Sequence, residues 1–538
     1  MYNLTVREGG TFHRPRTVSG NLCYTEGKMK KTILSVLIVA LLLSFAACSG
    51  GEKPEPEVTT VRDNAAAAAD FDSAVASIGE ATVENEKKID DAFAAYWSMP
   101  QEARDLTKKY GELTALRSEL VKKYVVKQYR DTRIPHERIL IGGYGWRYAS
   151  DEEALAFVDS HFNFMWNCDV DILNRFGLGC FAGAGHLGIP VSKDMSEEDF
   201  RAAVEGKNFD RDNLWCVDFI DEPSVYDIPK YWRTAKIVAE ELLPQCGLFM
   251  NLLPFYAFAD DLRDYERYLD TYFDTVGKST DIVSFDHYVY APENEHGKME
   301  FGSPMVSMLK NFEMLSERCR ENGHDLCAIL QNVDVWKPDV NAEGYYSVSA
   351  EMMKFQAYVA LAFGSKAIAW FETGYPAGTP VDPDGKRNEM FDKLEEVNGD
   401  VEMLSPVYMR YSFDSNVVLC GKASRKLKSK IDFYDGSRDP ADLKQSAVTD
   451  LTAGNTSVLI TGHFKKNVGE GDAFMFVPLS ESDFQKNTNT VSSVSFRTSS
   501  PDAVVTAYRK GIPVRIEPVD GVYTVEIRNA DAAFVTVG

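Results

Sequence analysis

The chain has 538 residues, which is too long for one hydrophobic core, so two or more domains are expected. The formal net charge of −23 argues against nucleic acid and anionic membrane surfaces as partners, because both require clustered lysine and arginine. The nine cysteines form no CxxC pair and no Cys/His cluster at metal-ligand spacing. We therefore expect neither a metal site nor a cofactor.

Residues 29–48 have the parts of a secretory signal: a basic start, a short apolar stretch and small residues before Cys48. The Ala-Ala-Cys ending resembles the lipobox of bacterial lipoproteins. This resemblance implies that Cys48 becomes the lipidated first residue and anchors the protein in the cell envelope; an ordinary signal peptide containing cysteine is the alternative. Residues 1–28 contain no apolar run, and we expect them to reflect a start codon assigned too early. Residues 49–63, polar and containing proline and glycine, are predicted to be a flexible tether.

Residues 64–135 have a helical pattern. Apolar residues recur at three- and four-residue steps at Leu113, Leu116, Leu120 and Tyr124, which gives one apolar stripe. We predict a helical hairpin whose stripe packs on the domain that follows. A coiled-coil oligomerisation arm is the alternative, but the stripe is short for a coiled coil.

From Arg138 onward, short apolar runs alternate with helical stretches, which is typical of parallel βα units. Eight runs in roughly 240 residues predict a (β/α)₈ TIM barrel over residues 136–405. A doubly wound open sheet is the alternative, but residues 142–146 lack the GxGxxG spacing of its phosphate turn. The predicted strands lie in residues 138–146, 162–167, 177–183, 214–223, 247–254, 281–288, 325–331 and 365–372.

Beyond the barrel, the helical pattern fades and short alternating apolar runs are separated by Gly, Asp and Asn turns. This pattern predicts an antiparallel β-sandwich over residues 406–538. The predicted fold class is therefore α/β: a (β/α)₈ barrel with an N-terminal helical segment and a C-terminal β-sandwich.

Polar and aromatic residues follow the predicted barrel strands at their C-terminal ends, where TIM-barrel enzymes carry their active sites. A single carboxylate closing an apolar strand could be a structural buried acid, but carboxylates ending strands four, six and eight together indicate a catalytic cleft. The candidate acids are Asp221, Glu222, Asp286 and Glu372. The candidate substrate-binding residues are Tyr144, Trp146, Asn167, His186, Asn251, Tyr288, Gln331 and Trp370.

Four segments of the predicted barrel resemble those of a known group of enzymes. The segment 219–223, Phe-Ile-Asp-Glu-Pro, resembles the Asp-Glu-Pro or Asn-Glu-Pro signature of barrel glycoside hydrolases. With segments 251–256, 284–288 and 360–370, it is similar to bacterial hydrolase-like proteins related to the clan that includes the barrel β-galactosidases. The resemblance covers about residues 138–405 and implies a carbohydrate substrate.

The resemblance also implies roles for individual residues. The clan's acid/base is the strand-four Glu, which corresponds to Glu222. Its nucleophile is a Glu ending strand seven, where this chain has Gln331, an amide that cannot attack an anomeric carbon. A two-carboxylate hydrolase then requires Asp286 or Glu372 as the second acid. Asp286 is preferred because the resemblance is stronger around it. A separation from Glu222 of about 5 Å would mean retention, and roughly 6.5–9.5 Å inversion.

Two further interpretations remain open. The adjacent Asp221 and Glu222 resemble the acid pair of hexosaminidases that use the substrate's own N-acetyl group as nucleophile. Glu222 would then be the acid, Asp221 would orient the amide and Tyr288 would hydrogen-bond the intermediate. Alternation of side chains along a strand opposes this interpretation unless the strand has already turned. The protein could also bind glycans at the surface without cleaving them.

Overall fold

The structure is a computed structural model that describes residues 58–126, 130–144, 150–167, 170–258, 261–289, 303–333, 348–374, 378–421, 439, 443, 446–479, 491–528 and 530–538. The predicted signal peptide with Cys48, most of the predicted tether and Trp146 lie outside these residues. No helix within the described ranges is long and apolar enough to cross a membrane.

The N-terminal region contains three helices of at least thirteen residues instead of a hairpin. The first begins inside the predicted tether and ends before Gly79, whose φ of 76° turns the chain. The predicted hairpin is wrong because Gly79 divides a segment that the alanine-rich pattern presents as continuous. The helices are α1 (Val58–Ala76), α2 (Glu86–Ser98), the one-turn α3 (Gln101–Arg104) and α4 (Tyr110–Lys122).

The predicted stripe lies in the shared core of these helices. Leu113, Leu120 and Tyr124 are fully buried and Leu116 is partly buried. Met403 of the barrel's last helix packs against the same core, as the sequence predicts for a stripe that faces the next domain.

Eight parallel strands close into a barrel in chain order. Each strand lies within the apolar run predicted for it, so the predicted barrel is confirmed. The runs are apolar throughout because one face of each strand is buried by the barrel interior and the other by helices. The strands are β1 (Leu140–Tyr144), β2 (Phe164–Trp166), β3 (Gly179–Gly183), β4 (Leu214–Asp221), β5 (Gly247–Leu252), β6 (Ile282–Asp286), β7 (Asp325–Gln331) and β8 (Ala367–Phe371).

One helix of at least six residues follows each barrel strand and packs on its outer face. Local sequence sets several helix starts: at the first of them, Ser150 Oγ accepts a hydrogen bond from the Glu153 backbone N–H, and the Glu153 carboxylate accepts one from the Ser150 backbone N–H. The helices are α5 (Asp151–Asp159), α6 (Val170–Arg175), α7 (Glu197–Val204), α8 (Ile228–Ile237), α9 (Leu262–Asp274), α10 (Ser303–Asn322), α11 (Ala350–Ala362) and α12 (Glu389–Tyr408). The last helix ends three residues beyond the predicted barrel boundary at 405.

Alternation along the strands separates the barrel interior from the helix layer. Apolar side chains fill the interior, among them Phe164, Phe181, Cys216, Phe249, Ile282, Ile329 and Ala369. On the same face, nearer the C-terminal ends of the strands, the inward-facing residues are Tyr144, Trp166, Asp218, Asn251, Asp286, Gln331 and Phe371. This end of the interior is where polar groups replace apolar ones.

The C-terminal region is the predicted antiparallel β-sandwich, which has a six-stranded sheet and a three-stranded sheet. The large sheet also packs on the barrel: a Cβ at Gly462 would lie 1.9 Å from the carbonyl oxygen of Ala362, so only glycine permits this approach. The strands are β9 (Tyr411–Cys420), β10 (Val448–Thr452), β11 (Val458–Lys466), β12 (Asp472–Leu479), β13 (Val491–Thr498), β14 (Val505–Arg509), β15 (Ile512–Ile516), β16 (Tyr523–Arg528) and β17 (Ala533–Val537).

Candidate active site

A β-bulge at the end of β4 turns two consecutive acids toward the mouth of the barrel. Asp218 pairs with Phe249 of β5 and Asp221 pairs with Asn251, so three steps on β4 match two on β5. Strict alternation would point Asp221 away from the barrel axis, but the extra residue reverses its direction. Glu222 follows with a φ of 45°, in the left-handed region that a glutamate rarely adopts. Such backbone strain is concentrated at functional sites.

Asn251 links the acids of β4 and β6. Its side-chain Nδ2 donates to Asp221 Oδ1 at 3.0 Å and to Asp286 Oδ1 at 3.0 Å, while its Oδ1 accepts from Ser284 Oγ at 3.0 Å. Asn251 is buried, so both amide protons and the oxygen are committed to fixed partners. The amide therefore holds two carboxyl groups at a set separation, which is a positioning role distinct from the predicted sugar contact.

The carboxyl groups of Glu222 and Asp286 are close enough for each to shift the pKa of the other. Two neighbouring carboxylates repel each other when both are ionised, which favours a state in which one of them carries a proton. Burial is the largest cause that raises the pKa of each, and the charge on a neighbouring carboxylate raises it further. The two groups titrate as a unit, at a higher pH than free carboxyls do.

The two members of this pair differ in access. Asp286 is buried, whereas Glu222 is exposed to solvent at the barrel mouth while protein surrounds it on its other sides. Glu222 is therefore the member of the pair that a ligand could reach.

Asp218 is an inward-facing acid of β4 that the sequence-based prediction did not include. It is buried inside the barrel on β4, and its Oδ2 accepts from Trp166 Nε1 at 3.3 Å. Burial, and secondly the charge of Asp221, raise the pKa of Asp218 to about 8. A signal was available: Asp218 is the polar residue within the apolar run 214–220 and shares the phase of the interior Cys216.

Three tyrosines stand near the acids. Burial is the main cause that raises the pKa values of Tyr144, Tyr256 and Tyr288, and the charges of Glu222 and Asp286 raise them further. Tyr256 and Tyr288 are partly exposed and available to a ligand, whereas Tyr144 is nearly buried. Tyr256 lies on a 3₁₀ turn after β5 and was missed because no periodic pattern marks the loop.

Two aromatic side chains, Trp166 and Phe371, pack against Tyr144 and Tyr288. The Tyr144 ring lies 5.0 Å from that of Trp166 and 5.5 Å from that of Phe371, and the Tyr288 ring lies 5.3 Å from Phe371. Trp166 is fully buried, so it packs against Tyr144 without reaching the cleft.

Two predicted sugar contacts are wrong. Trp370 is fully buried on the outer face of β8, where its Nε1 donates to Asn398 of α12 at 2.8 Å. Its neighbours on β8, Ala369 and Phe371, are the residues that face inward. Gln331 does face inward but is also fully buried, and its backbone exchanges two hydrogen bonds with the Gln356 side chain. Neither side chain has surface available to a sugar.

The other predicted site residues that the structure describes, Asn167, His186 and Glu372, follow the ends of β2, β3 and β8. Asn167 adopts a φ of 52°, and its Oδ1 accepts from the Gly183 backbone at 2.6 Å, which ties the ends of β2 and β3 together. His186 is exposed on the turn after β3. Glu372 follows β8 and is partly exposed, and its backbone oxygen accepts from Asn332 Nδ2 at 3.0 Å. Among the described residues, no group of three or more His, Cys, Asp or Glu is arranged to hold a metal ion.

No protein-family model matches this chain, and no curated protein matches it in sequence. Among solved structures it is similar to a β-L-arabinopyranosidase from Geobacillus stearothermophilus, with a TM-score of 0.40 at 9% identity over 76% of this chain and 98% of that one. An α-amylase from Anoxybacillus gives a TM-score of 0.38 at 10% identity, over 76% and 99%. A modular endo-β-1,4-mannanase from Cellulomonas fimi gives 0.34 at 11% identity, over 78% and 96%. Likeness at this level does not bear on what this chain binds or cleaves.

Proposed function

We propose that this protein is a glycoside hydrolase in which Glu222 is the general acid. The observation that carries the proposal is the position of exposed Glu222 at the end of β4, beside Asp221 and buried Asp286, where burial and the charge of Asp221 raise its pKa. Cleavage of a glycosidic bond requires a proton on the departing oxygen, from an acid still protonated near the working pH. Burial and the charge of Asp221 raise the pKa of Glu222, which keeps this group protonated to a higher pH than a free glutamate.

The burial of Asp286 bears on which group completes the mechanism. Two-carboxylate hydrolases place the acids about 5 Å apart for retention or roughly 6.5–9.5 Å apart for inversion, with the anomeric carbon between them. Asp286 is 4% exposed and is held by Asn251 Nδ2, so it offers a substrate little surface on which to act as that second carboxylate. For Asp286 to take that role, the substrate would have to reach beneath Glu222.

The bulge favours Asp221 as the group that works with Glu222. Asp221 and Glu222 both reach the mouth, which removes the objection from side-chain alternation, and Asp221 is held by Asn251. On a 2-acetamido sugar, the acetamido oxygen would attack the anomeric carbon as Glu222 protonates the leaving oxygen. Asp221 would accept the acetamido N–H and stabilise the positive charge of the cyclised intermediate. Water would then open this intermediate with Glu222 as base.

The test is product formation on oligosaccharides with and without N-acetylated sugars. We expect new reducing ends from N-acetylated substrates alone, and inhibition by a thiazoline analogue of the cyclised acetamide. Cleavage of substrates without the acetamido group would instead support the two-carboxylate mechanism. Binding on a glycan array without product from any substrate would contradict the enzyme proposal and indicate a glycan-binding surface protein.

The location is a separate proposal, based on the Ala-Ala-Cys48 signal. We propose that the mature protein is attached to the cell envelope by lipid on Cys48. A bacterium expressing the full chain should place the wild-type protein in the detergent phase, and Cys48→Ala should leave it in the aqueous phase. The nearby polar substitution Ser49→Ala serves as the matched control. Equal partitioning of Cys48→Ala and wild type would contradict lipidation.

A further inference from the structure

Asp218 lies one layer below the proposed catalytic acids, inside the barrel. Its residue exposure is 7%, and Trp166, its hydrogen-bond partner, has an exposure of 0%. The indole donates to Oδ2 at 3.3 Å, while Oδ1 is buried without a hydrogen-bond partner among the described residues. One long hydrogen bond from a neutral donor is poor compensation for a buried negative charge.

The neighbouring strands do not supply a compensating cation. Gly183 of β3 and Phe249 of β5 are its register partners, and neither side chain is titratable. The titratable groups that face it are Asp221 above it on β4, the Tyr144 hydroxyl of β1 and the Cys216 thiol below it. Aspartate, tyrosine and cysteine side chains are neutral when protonated and negatively charged when deprotonated. None of these groups can therefore stabilise a carboxylate at Asp218 by an opposite charge.

We propose that Asp218 is a positioning residue that keeps its own proton, so that Asp221 directly above it can carry the negative charge used in the reaction. This inference rests on the proposed function of Asp221 and Glu222. A second carboxylate beneath Asp221 would oppose its ionisation across the interior of the barrel, where charges are poorly screened. A protonated Asp218 removes that opposition and retains the hydrogen bond from Trp166.

The protonated state has a consequence for stability. Burial holds the pKa of Asp218 at about 8, against 3.8 for a free aspartate. The stability contributed by the protonated form is complete below the unfolded-state pKa and is lost as pH rises through the folded-state pKa. Between these two values the folded state therefore loses about tenfold in its folding equilibrium constant per pH unit, relative to a variant that cannot ionise there.

The experiment uses Asp218→Asn, which has the same shape and cannot ionise. Melting temperature is measured from pH 4 to pH 9 for wild type, Asp218→Asn and the exposed control Asp199→Asn. We expect the stability of Asp218→Asn relative to wild type to grow with pH up to about 8 and then level off. Infrared spectra at neutral pH should show a protonated carboxyl band that is weaker in Asp218→Asn than in wild type, because one protonated carboxyl group has been removed. A pH-independent stability difference, or an unchanged band, would overturn the proposal whether or not the protein is an enzyme.

Activity supplies the second readout. Asp218→Asn should keep kcat/KM within about threefold of wild type, with the acid limb of its pH profile unchanged, because Asp221 still ionises. A loss of roughly 10²-fold or more at every pH would mean that Asp218 itself carries the catalytic charge, which would also overturn the proposal. If Asp218→Asn does not fold, Asp218→Ser, which is neutral and smaller, replaces it in both measurements.

Discussion

Replacing Glu222 by Gln should lower kcat/KM on an oligosaccharide by roughly 10²-fold or more, the usual contribution of a positioned acid. The amide cannot protonate the departing oxygen, yet its N–H can still donate to Asp286, so the fold should survive. The loss should shrink for substrates with acidic phenol leaving groups, because these depart without protonation. Kinetics on a matched pair of alkyl and nitrophenyl glycosides, with melting curves alongside, measures both effects.

The matched control for this substitution is Glu198→Gln, an exposed glutamate in the first turn of α7. It makes the same chemical change and should leave both rates unaltered. Full activity in Glu222→Gln, or a loss that is equal for both leaving groups, would contradict the role of Glu222 as acid. A collapsed melting curve would show that its contribution is structural.

The barrel could be predicted from the sequence because its strands are buried on both faces. Runs such as 325–331 then appear as continuous apolar segments whose ends coincide with the strand ends. The same continuity hides which face each residue occupies. Trp370 and Phe371 are adjacent and apolar, and only the structure shows that Phe371 faces the interior while Trp370 packs on α12.

The candidate site depends on features that a sequence does not display. A bulge adds one residue to one strand only, so the direction of Asp221 follows from its pairing with β5 and not from its own run. Asn251 could be predicted to lie at a strand end, but its bridge between Asp221 and Asp286 depends on three strands meeting. Gly79 shows the same limit for helices, since an alanine-rich pattern did not reveal where the chain turns.

Asp286 and Asp221 should respond differently to removal of their charge, and the difference identifies the mechanism. Asp221→Asn should lower kcat on an N-acetylated substrate by roughly 10²-fold or more, because the neutral amide cannot stabilise the cyclised intermediate. Asp286→Asn should be milder, since Glu222 remains in place as the acid.

The contrary pattern would restore Asp286 as the second catalytic carboxylate. Asp286→Asn would then be inactive on every substrate, Asp221→Asn would be mild, and the acetamido group would be dispensable. Azide would partly rescue a small Asp286→Ala variant if the enzyme is retaining, because the anion could take the place of the missing nucleophile. Measuring both Asn variants on N-acetylated and plain substrates of equal length separates the mechanisms, since each assigns the severe loss to a different aspartate. The burial of Asp286 favours the first pattern: a nucleophile must reach the anomeric carbon, and Asp286 is 4% exposed and held by Asn251 Nδ2 at 3.0 Å.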